Sequence, residues 1–283
     1  MIPTINTVLT GARQRLAGTR QSALEAEILL AHSLETSRSF LYANPELVLP
    51  HTRVRAFDGL LQSRLSGTPI AYLTGQREFW SLPLEVTPDT LIPRPETELL
   101  VETALELIPK NEVCRVADLG TGSGAVALAI ASERPDAKII ATDISKSALA
   151  IARKNAASLE IQNIEFIRSD WFESVNGQFQ LVVSNPPYIA SGDEHLQKGD
   201  VRFEPRLALA AGRDGLDSIR TIISTCLQAL CSEGYVLLEH GYNQAAAVRK
   251  LLSDAGLGDV KTLKDLELRD RITLAQRTVQ SDD

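Results

Sequence analysis

From Cys114 to Gln276 the chain alternates short apolar runs with segments of helical periodicity, and this alternation constrains the fold more than any other feature. Such a pattern predicts parallel strands joined by crossover helices, with helices covering both faces of one sheet. Strands are expected at 114–119, 137–142, 163–168, 179–184, 233–239, 258–264 and 271–276. Helices are expected near 123–133, 145–157, 216–230 and 242–255. The last two strands follow each other without a helix, so that edge of the seven-stranded α/β sheet is expected to be antiparallel.

A small all-helical domain is expected over residues 1–75. Val8, Leu9, Ala12 and Leu16 recur at helical spacing. Ser22-Ala23-Leu24-Glu25 matches a capping box, after which Leu24, Ile28, Ala31 and Leu34 would fill one face. A third helix is expected from about Thr52, with Val54, Phe57, Leu61 and Leu65 inward and Gly67-Thr68-Pro69 ending it. A linker hairpin over 76–95 contains Glu78 to Val86, and the main domain then occupies 96–283. Pro93 and Pro95 fix an extended entry to a helix that runs to about Leu107; Arg94 to Thr97 read either as a capped helix start, which sequence alone favours, or as the mouth of a cofactor pocket. Ile189 to Asp214 has little regular pattern, and a connection this long beside an active site is expected to be a lid or a substrate-contacting loop.

Charge and cysteine usage narrow the class. Residues 1–75 carry seven Arg against five acidic residues, a balance of +2, so the remainder holds −9 of the net −7. An acidic main domain argues against direct nucleic-acid binding, which needs clustered Lys and Arg. Cys114, Cys226 and Cys231 match neither a disulfide framework nor a zinc spacing, and His32, His51, His195 and His240 are scattered, so no metal is expected. No apolar run approaches the roughly 20 residues that span a bilayer, and the amino terminus lacks a signal-peptide pattern. A cytoplasmic monomer is expected.

Asp118-Leu119-Gly120-Thr121-Gly122-Ser123-Gly124 follows the first strand of the sheet and opens a helix. Glycines there permit a sharp turn and close backbone approach, and the helix start offers unpaired N–H groups. Asp143 ends the next strand, at an interval suited to binding both hydroxyls of a ribose. NAD and S-adenosylmethionine both present such a ribose. Asp170-Trp171-Phe172 follows the third strand, where Trp171 could wall an adenine ring.

Asn185-Pro186-Pro187-Tyr188 closes the fourth strand and separates those cofactors. Hydride transfer has no use for this set, whereas methyl transfer to a planar NH2 does. An amide or aryl amine nitrogen is a poor nucleophile because its lone pair is delocalised. Two fixed acceptors that hold both N–H bonds turn the lone pair toward the methyl carbon. The Asn185 side-chain oxygen and the Pro186 carbonyl supply those acceptors, the prolines stiffen the backbone, and Tyr188 lays its ring against the planar group.

With these motifs in place, the chain resembles the class I S-adenosylmethionine-dependent methyltransferases, with their Rossmann-like sheet. More narrowly it resembles the bacterial peptide chain release factor glutamine methyltransferases. The matching stretches are Leu73 to Gly75, Glu78 to Trp80, Leu91 to Glu98, Asp118 to Gly124, Ser169 to Phe172, Ser184 to Ile189, Gly199 to Pro205 and Leu237 to Gly241. The resemblance implies methylation of the side-chain amide of the glutamine in a release factor's Gly-Gly-Gln tripeptide. It implies a cofactor pocket of Gly120, Thr121, Gly122, Ser123, Gly124, Asp143, Trp171 and Asn185, and substrate contacts from Asn185, Pro186, Pro187 and Tyr188. It also implies that residues 1–75 help to recognise the release factor.

Other readings remain open at this level. A ribosomal-protein glutamine or a nucleic-acid adenine would suit the same four residues. A dehydrogenase or a non-catalytic nucleotide-binding module would suit the glycine loop alone.

Overall fold

The computed structural model describes residues 2–19 and 21–278. The chain divides into two compact units between Gln76 and Arg77.

The first unit is helical. It contains α1 (Ile5–Arg15), α2 (Ser22–Leu34), α3 (Arg38–Ala43), α4 (His51–Leu65) and α5 (Ile70–Thr74). Its core gathers Ile5, Leu9, Leu16, Leu29, Leu30, Phe57 and Leu61. Three local expectations are corrected. The capping box belongs to α1, where Thr7 N donates to Thr4 Oγ1 at 3.3 Å and Thr4 N to Thr7 Oγ1 at 2.9 Å. Ser22 lies inside α2, because Gln21 is the cap residue, and Glu25 is drawn away to Arg64 of α4 at 2.8 Å. The buried face of α2 keeps the expected Ala31 but otherwise turns from Leu24, Ile28 and Leu34 to Ala26, Leu29, Leu30 and Ser33, and Leu65 at the end of α4 is exposed. Two short helices, α3 and α5, have too few turns to show a period in sequence.

The second unit opens with the hairpin β1 (Gln76–Phe79) and β2 (Leu82–Glu85). Its two-residue turn puts Trp80 and Ser81 at φ 52° and 59°, the left-handed geometry that matches strand twist. Phe79 and Leu84 join the core of this unit. Next come α6 (Glu98–Leu107), β3 (Arg115–Leu119), α7 (Ala125–Glu133), β4 (Lys138–Asp143), α8 (Lys146–Ser158), β5 (Ile164–Arg168) and β6 (Phe179–Ser184). After them follow α9 (Asp217–Ala229), β7 (Leu230–Glu239), α10 (Ala245–Asp254), β8 (Gly258–Lys264) and β9 (Asp270–Gln276).

These strands form one seven-stranded sheet in the order β5-β4-β3-β6-β7-β9-β8. β3 to β7 pair in parallel, whereas β9 is antiparallel to both β7 and β8. The antiparallel pairing is as expected, but β9 inserts between β7 and β8, so the outer strand is β8. Both faces are buried, as parallel strands require. Val116, Leu181 and Val183 face the hairpin, α6 and α7. Ala117, Leu119, Val182 and Val236 face α9 and α10. Cys114 and Cys226 are buried packing residues. Among the described residues no helix is long and apolar enough to cross a membrane.

Candidate active site

The chain leaves β3 toward β4 and β5 on one side and returns through β6 on the other. β3 and β6 therefore flank the point where strand order reverses, and ligands of open α/β sheets bind outside the carboxyl ends there. The register pairs Asp118 with Val183. Two residues further on, the glycine loop and Asn185 emerge side by side.

The loop folds tightly. Gly120, Gly122 and Gly124 adopt φ of 75°, 57° and 86°, which a side chain rarely tolerates. A Cβ at Gly124 would lie 3.0 Å from Leu128 and 3.2 Å from Ala152, so α7 and α8 approach closely there. Asp118 is buried and accepts from Thr121 Oγ1 at 2.7 Å. Burial, with a smaller push from Asp143, raises its carboxyl to about 7 despite that bond. Asp143 receives Gly122 N at 2.9 Å and Ser145 N at 2.8 Å. Burial raises its pKa, and these N–H donors oppose the rise.

A cleft of about 380 Å³ opens over the loop, within the usual range for small-molecule sites. Gly120, Gly122, Asp143, Asp170, Trp171, Asn185 and Pro187 line it, so most of the expected cofactor residues are brought together. Trp171 lies over Gly120, where an added Cβ would be 3.4 Å from its ring. Thr121 and Ser123 line a smaller adjoining hollow of about 50 Å³ with Leu91, Arg94, Thr97 and Asn185. Gly124 serves instead as the cap of α7.

Asn185 does not stand alone. Its Nδ2 donates to Thr97 Oγ1 at 3.0 Å. Tyr188 donates its hydroxyl to Glu239 Oε1 at 3.3 Å. Burial first, and the Glu239 charge second, push the phenol far above its usual range. The Tyr188 carbonyl accepts from Gln244 Nε2 at 3.0 Å, which pins the backbone of the motif from α10. Glu239 is buried at the end of β7, and its register position beyond Ser184–Leu238 sets it beside Asn185. Burial raises Glu239 to about 7, while Thr97, Arg271 and Tyr188 work to lower it.

The 189–214 connection is ordered over the cleft. Ile189 bridges Ala210, and Pro205, Leu207 and Ala208 line the cleft wall. Glu204 accepts the N–H of Ile92 at 3.1 Å and pairs with Arg94. Arg94 and Thr97 thus belong to the site's wall, a placement that helix capping alone does not suggest. Thr97, Glu204, Glu239 and Gln244 were not named from motif spacing. The Leu91–Glu98, Gly199–Pro205 and Leu237–Gly241 stretches are the available signal for the first three. Among the described residues no group of three or more His, Cys, Asp or Glu side chains could hold a metal ion.

Two family models match the chain: a methyltransferase small domain over residues 95–201 and a PrmC N-terminal domain over residues 7–75. The release factor glutamine methyltransferase of Escherichia coli K12 is 49% identical over 95% of this chain and 97% of its own length. The chain belongs to the release factor glutamine methyltransferase family. Another family relative, from Pseudomonas aeruginosa, is 48% identical over 96% of this chain and 98% of its own. Among solved structures, a T. thermophilus 16S rRNA N2 G1207 methyltransferase superposes with a TM-score of 0.54 at 19% identity, covering 71% of this chain and 49% of that one. That likeness concerns the fold. The methyltransferase domain shared by the family implies use of S-adenosylmethionine.

Proposed function

We propose that this protein transfers a methyl group from S-adenosylmethionine to the side-chain amide nitrogen of the glutamine in the Gly-Gly-Gln tripeptide of peptide chain release factors. The observation that carries the reading is the tethered Asn185 amide beside the glycine loop, at the switch point of a family methyltransferase sheet. Gly120, Thr121, Gly122, Ser123, Asp143, Trp171 and Asn185 hold the cofactor, and Gly124 closes the loop as the cap of α7. The fit is supported by the volume of the cleft, the left-handed glycines and a ribose-ready carboxylate at Asp143. When bound, S-adenosylmethionine supplies a sulfonium methyl; the N–C bond forms as the S–C bond breaks with its electron pair going to sulfur.

The chain's own residues prepare the nitrogen. Asn185 Oδ1 and the Pro186 carbonyl accept its two N–H bonds and turn its lone pair toward the methyl carbon. Tyr188 packs against the amide plane, and burial keeps its hydroxyl unionised. No strong base is required. The nitrogen becomes strongly acidic once methylated and gives one proton to water. Residues 1–75 contribute to recognition of the release factor.

The test is incubation with methyl-labelled S-adenosylmethionine and purified release factor, followed by peptide mapping. Label on the Gly-Gly-Gln glutamine is expected. An unlabelled release factor alongside a labelled ribosomal protein or nucleic acid would replace this reading.

A further inference from the structure

We propose that Thr97 is a positioning residue, which fixes the flip of the Asn185 side-chain amide so that Oδ1, not Nδ2, faces the substrate. The inference rests on the reading of Asn185 as an amide clamp. An asparagine can present either end of its amide, and only the oxygen end can accept an N–H from a glutamine. Left to itself, Asn185 would sample both orientations, and one of them would set donor against donor.

Thr97 removes that ambiguity through its single proton. A threonine hydroxyl donates once and accepts through its lone pairs. Glu239, which the register sets beside Asn185, is buried, and its Oε2 has no hydrogen-bond partner among the described residues. The Thr97 side chain nevertheless helps to hold Glu239 in its charged form. The Tyr188 hydroxyl donates to Oε1, so the carboxylate draws donors from both sides. In this assignment the Thr97 proton goes to the unpartnered, buried Oε2 of Glu239, and the lone pairs left over can only receive a donor. Asn185 meets them with Nδ2 at 3.0 Å, which leaves Oδ1 to the site. Donation runs in one direction, from Asn185 to Thr97 to Glu239, and a carboxylate at its end sets that direction. Thr97 stands where a 3-10 turn (Pro95–Thr97) meets α6, with its hydroxyl turned to Asn185 rather than to the helix start.

The test pairs Thr97→Val with Thr97→Ser. Valine keeps the shape and removes both the acceptor and the donor; serine keeps both. Thr97→Val is expected to lower kcat for glutamine methylation by roughly 10–100-fold, the scale of a hydrogen bond to a charged network, with a smaller loss of calorimetric S-adenosylmethionine affinity. Thr97→Ser is expected to restore most of kcat. Wild-type kcat in Thr97→Val would overturn the proposal, as would a Thr97→Ser enzyme no better than the valine variant. Nitrogen-15 spectra supply a readout independent of turnover. The Asn185 side-chain NH2 signal, assigned by its loss in Asn185→Asp, should be slow to exchange and should lose that protection in Thr97→Val. An identical signal in both proteins overturns the proposal. A wild-type enzyme that methylates no glutamine defeats the clamp reading instead and leaves the spectra to decide this one.

Discussion

Glu204 receives the backbone N–H of Ile92 at 3.1 Å, although 112 positions separate them in sequence. The same carboxylate pairs with Arg94. Burial raises Glu204's pKa, and Arg94 with the Ile92 N–H opposes the rise. One side chain thus ties the 189–214 connection to the Leu91–Arg94 segment that walls the cleft. Glu204→Ala is expected to destabilise the fold by about 1–3 kcal/mol, because it leaves a buried N–H unpaired. It is also expected to weaken S-adenosylmethionine binding. Glu204→Gln keeps an acceptor for Ile92 and should lose less of both. Thermal melting with calorimetric titration reads both quantities, and a wild-type melting curve for Glu204→Ala would remove the tie from the argument.

Asn185→Ala should retain the fold, since Asn185 is only half-buried and follows β6 rather than packing within it. Its turnover on release factor should fall by about 10²–10³, the usual cost of one oriented group at a reacting centre. Single-turnover methyl transfer at saturating cofactor isolates that step. Near-normal turnover would mean that the substrate nitrogen is held by other groups.

Gly215 controls the same motif from the far side. It sits at φ 77°, and a Cβ there would lie 2.2 Å from the Tyr188 carbonyl and 2.8 Å from Gln244 Nε2. The carbonyl cannot move away without losing its bond from Gln244. Gly215→Ala is therefore expected to cost about 1–3 kcal/mol in strain and overpacking. It should lower kcat more than it weakens cofactor binding, because Tyr188 shifts while the glycine loop does not. Equal losses in both would place the damage in the cleft as a whole.

The sheet could be read from sequence because its strands are buried on both faces and appear as short, largely apolar runs, such as Leu181 to Val183, and Val116 to Leu119 with Asp118 as the one break. The glycine loop, Asp143 and Asn185 were readable for a related reason. Each sits at a strand end, where a residue unsuited to the core points to a candidate site. The position of β9 was not readable, since strand pairing depends on which neighbour buries Ile272 and Ala275. Ser22 misled because Glu25 had a better partner in Arg64, 39 positions away. Thr97 and Glu239 lie in stretches that the sequence singles out, Leu91–Glu98 and Leu237–Gly241, but their individual roles were not legible for the same reason. Their chemistry comes from partners 88 and 51 positions distant, in the bonds of Asn185 to Thr97 and of Tyr188 to Glu239.

Glu239 links activity and stability with opposite signs. Burial lifts its carboxyl from 4.5 to about 7, against Thr97, Arg271 and Tyr188, with Glu96 adding to the rise. Between these values the folded protein holds a proton that the unfolded chain has released. Stability from this group is therefore fully present below about 4.5 and is lost as pH rises through about 7. The cost of keeping the carboxylate charged is on the order of 3 kcal/mol. Glu239→Gln removes that cost and should raise the melting temperature at pH 8 more than at pH 5. Asp118 titrates in the same range with the same sign, so the difference between variant and wild type is the quantity to follow. Activity should respond the other way. A protonated Glu239 can donate to Thr97, which frees the Thr97 proton for Asn185 Oδ1 and turns the wrong end of the amide to the substrate. The wild-type kcat should then fall as pH drops below about 7, and Glu239→Gln should flatten that limb at a lower plateau. A variant that is stabilised at pH 8 yet keeps the wild-type acid limb would detach Glu239 from the orientation of Asn185.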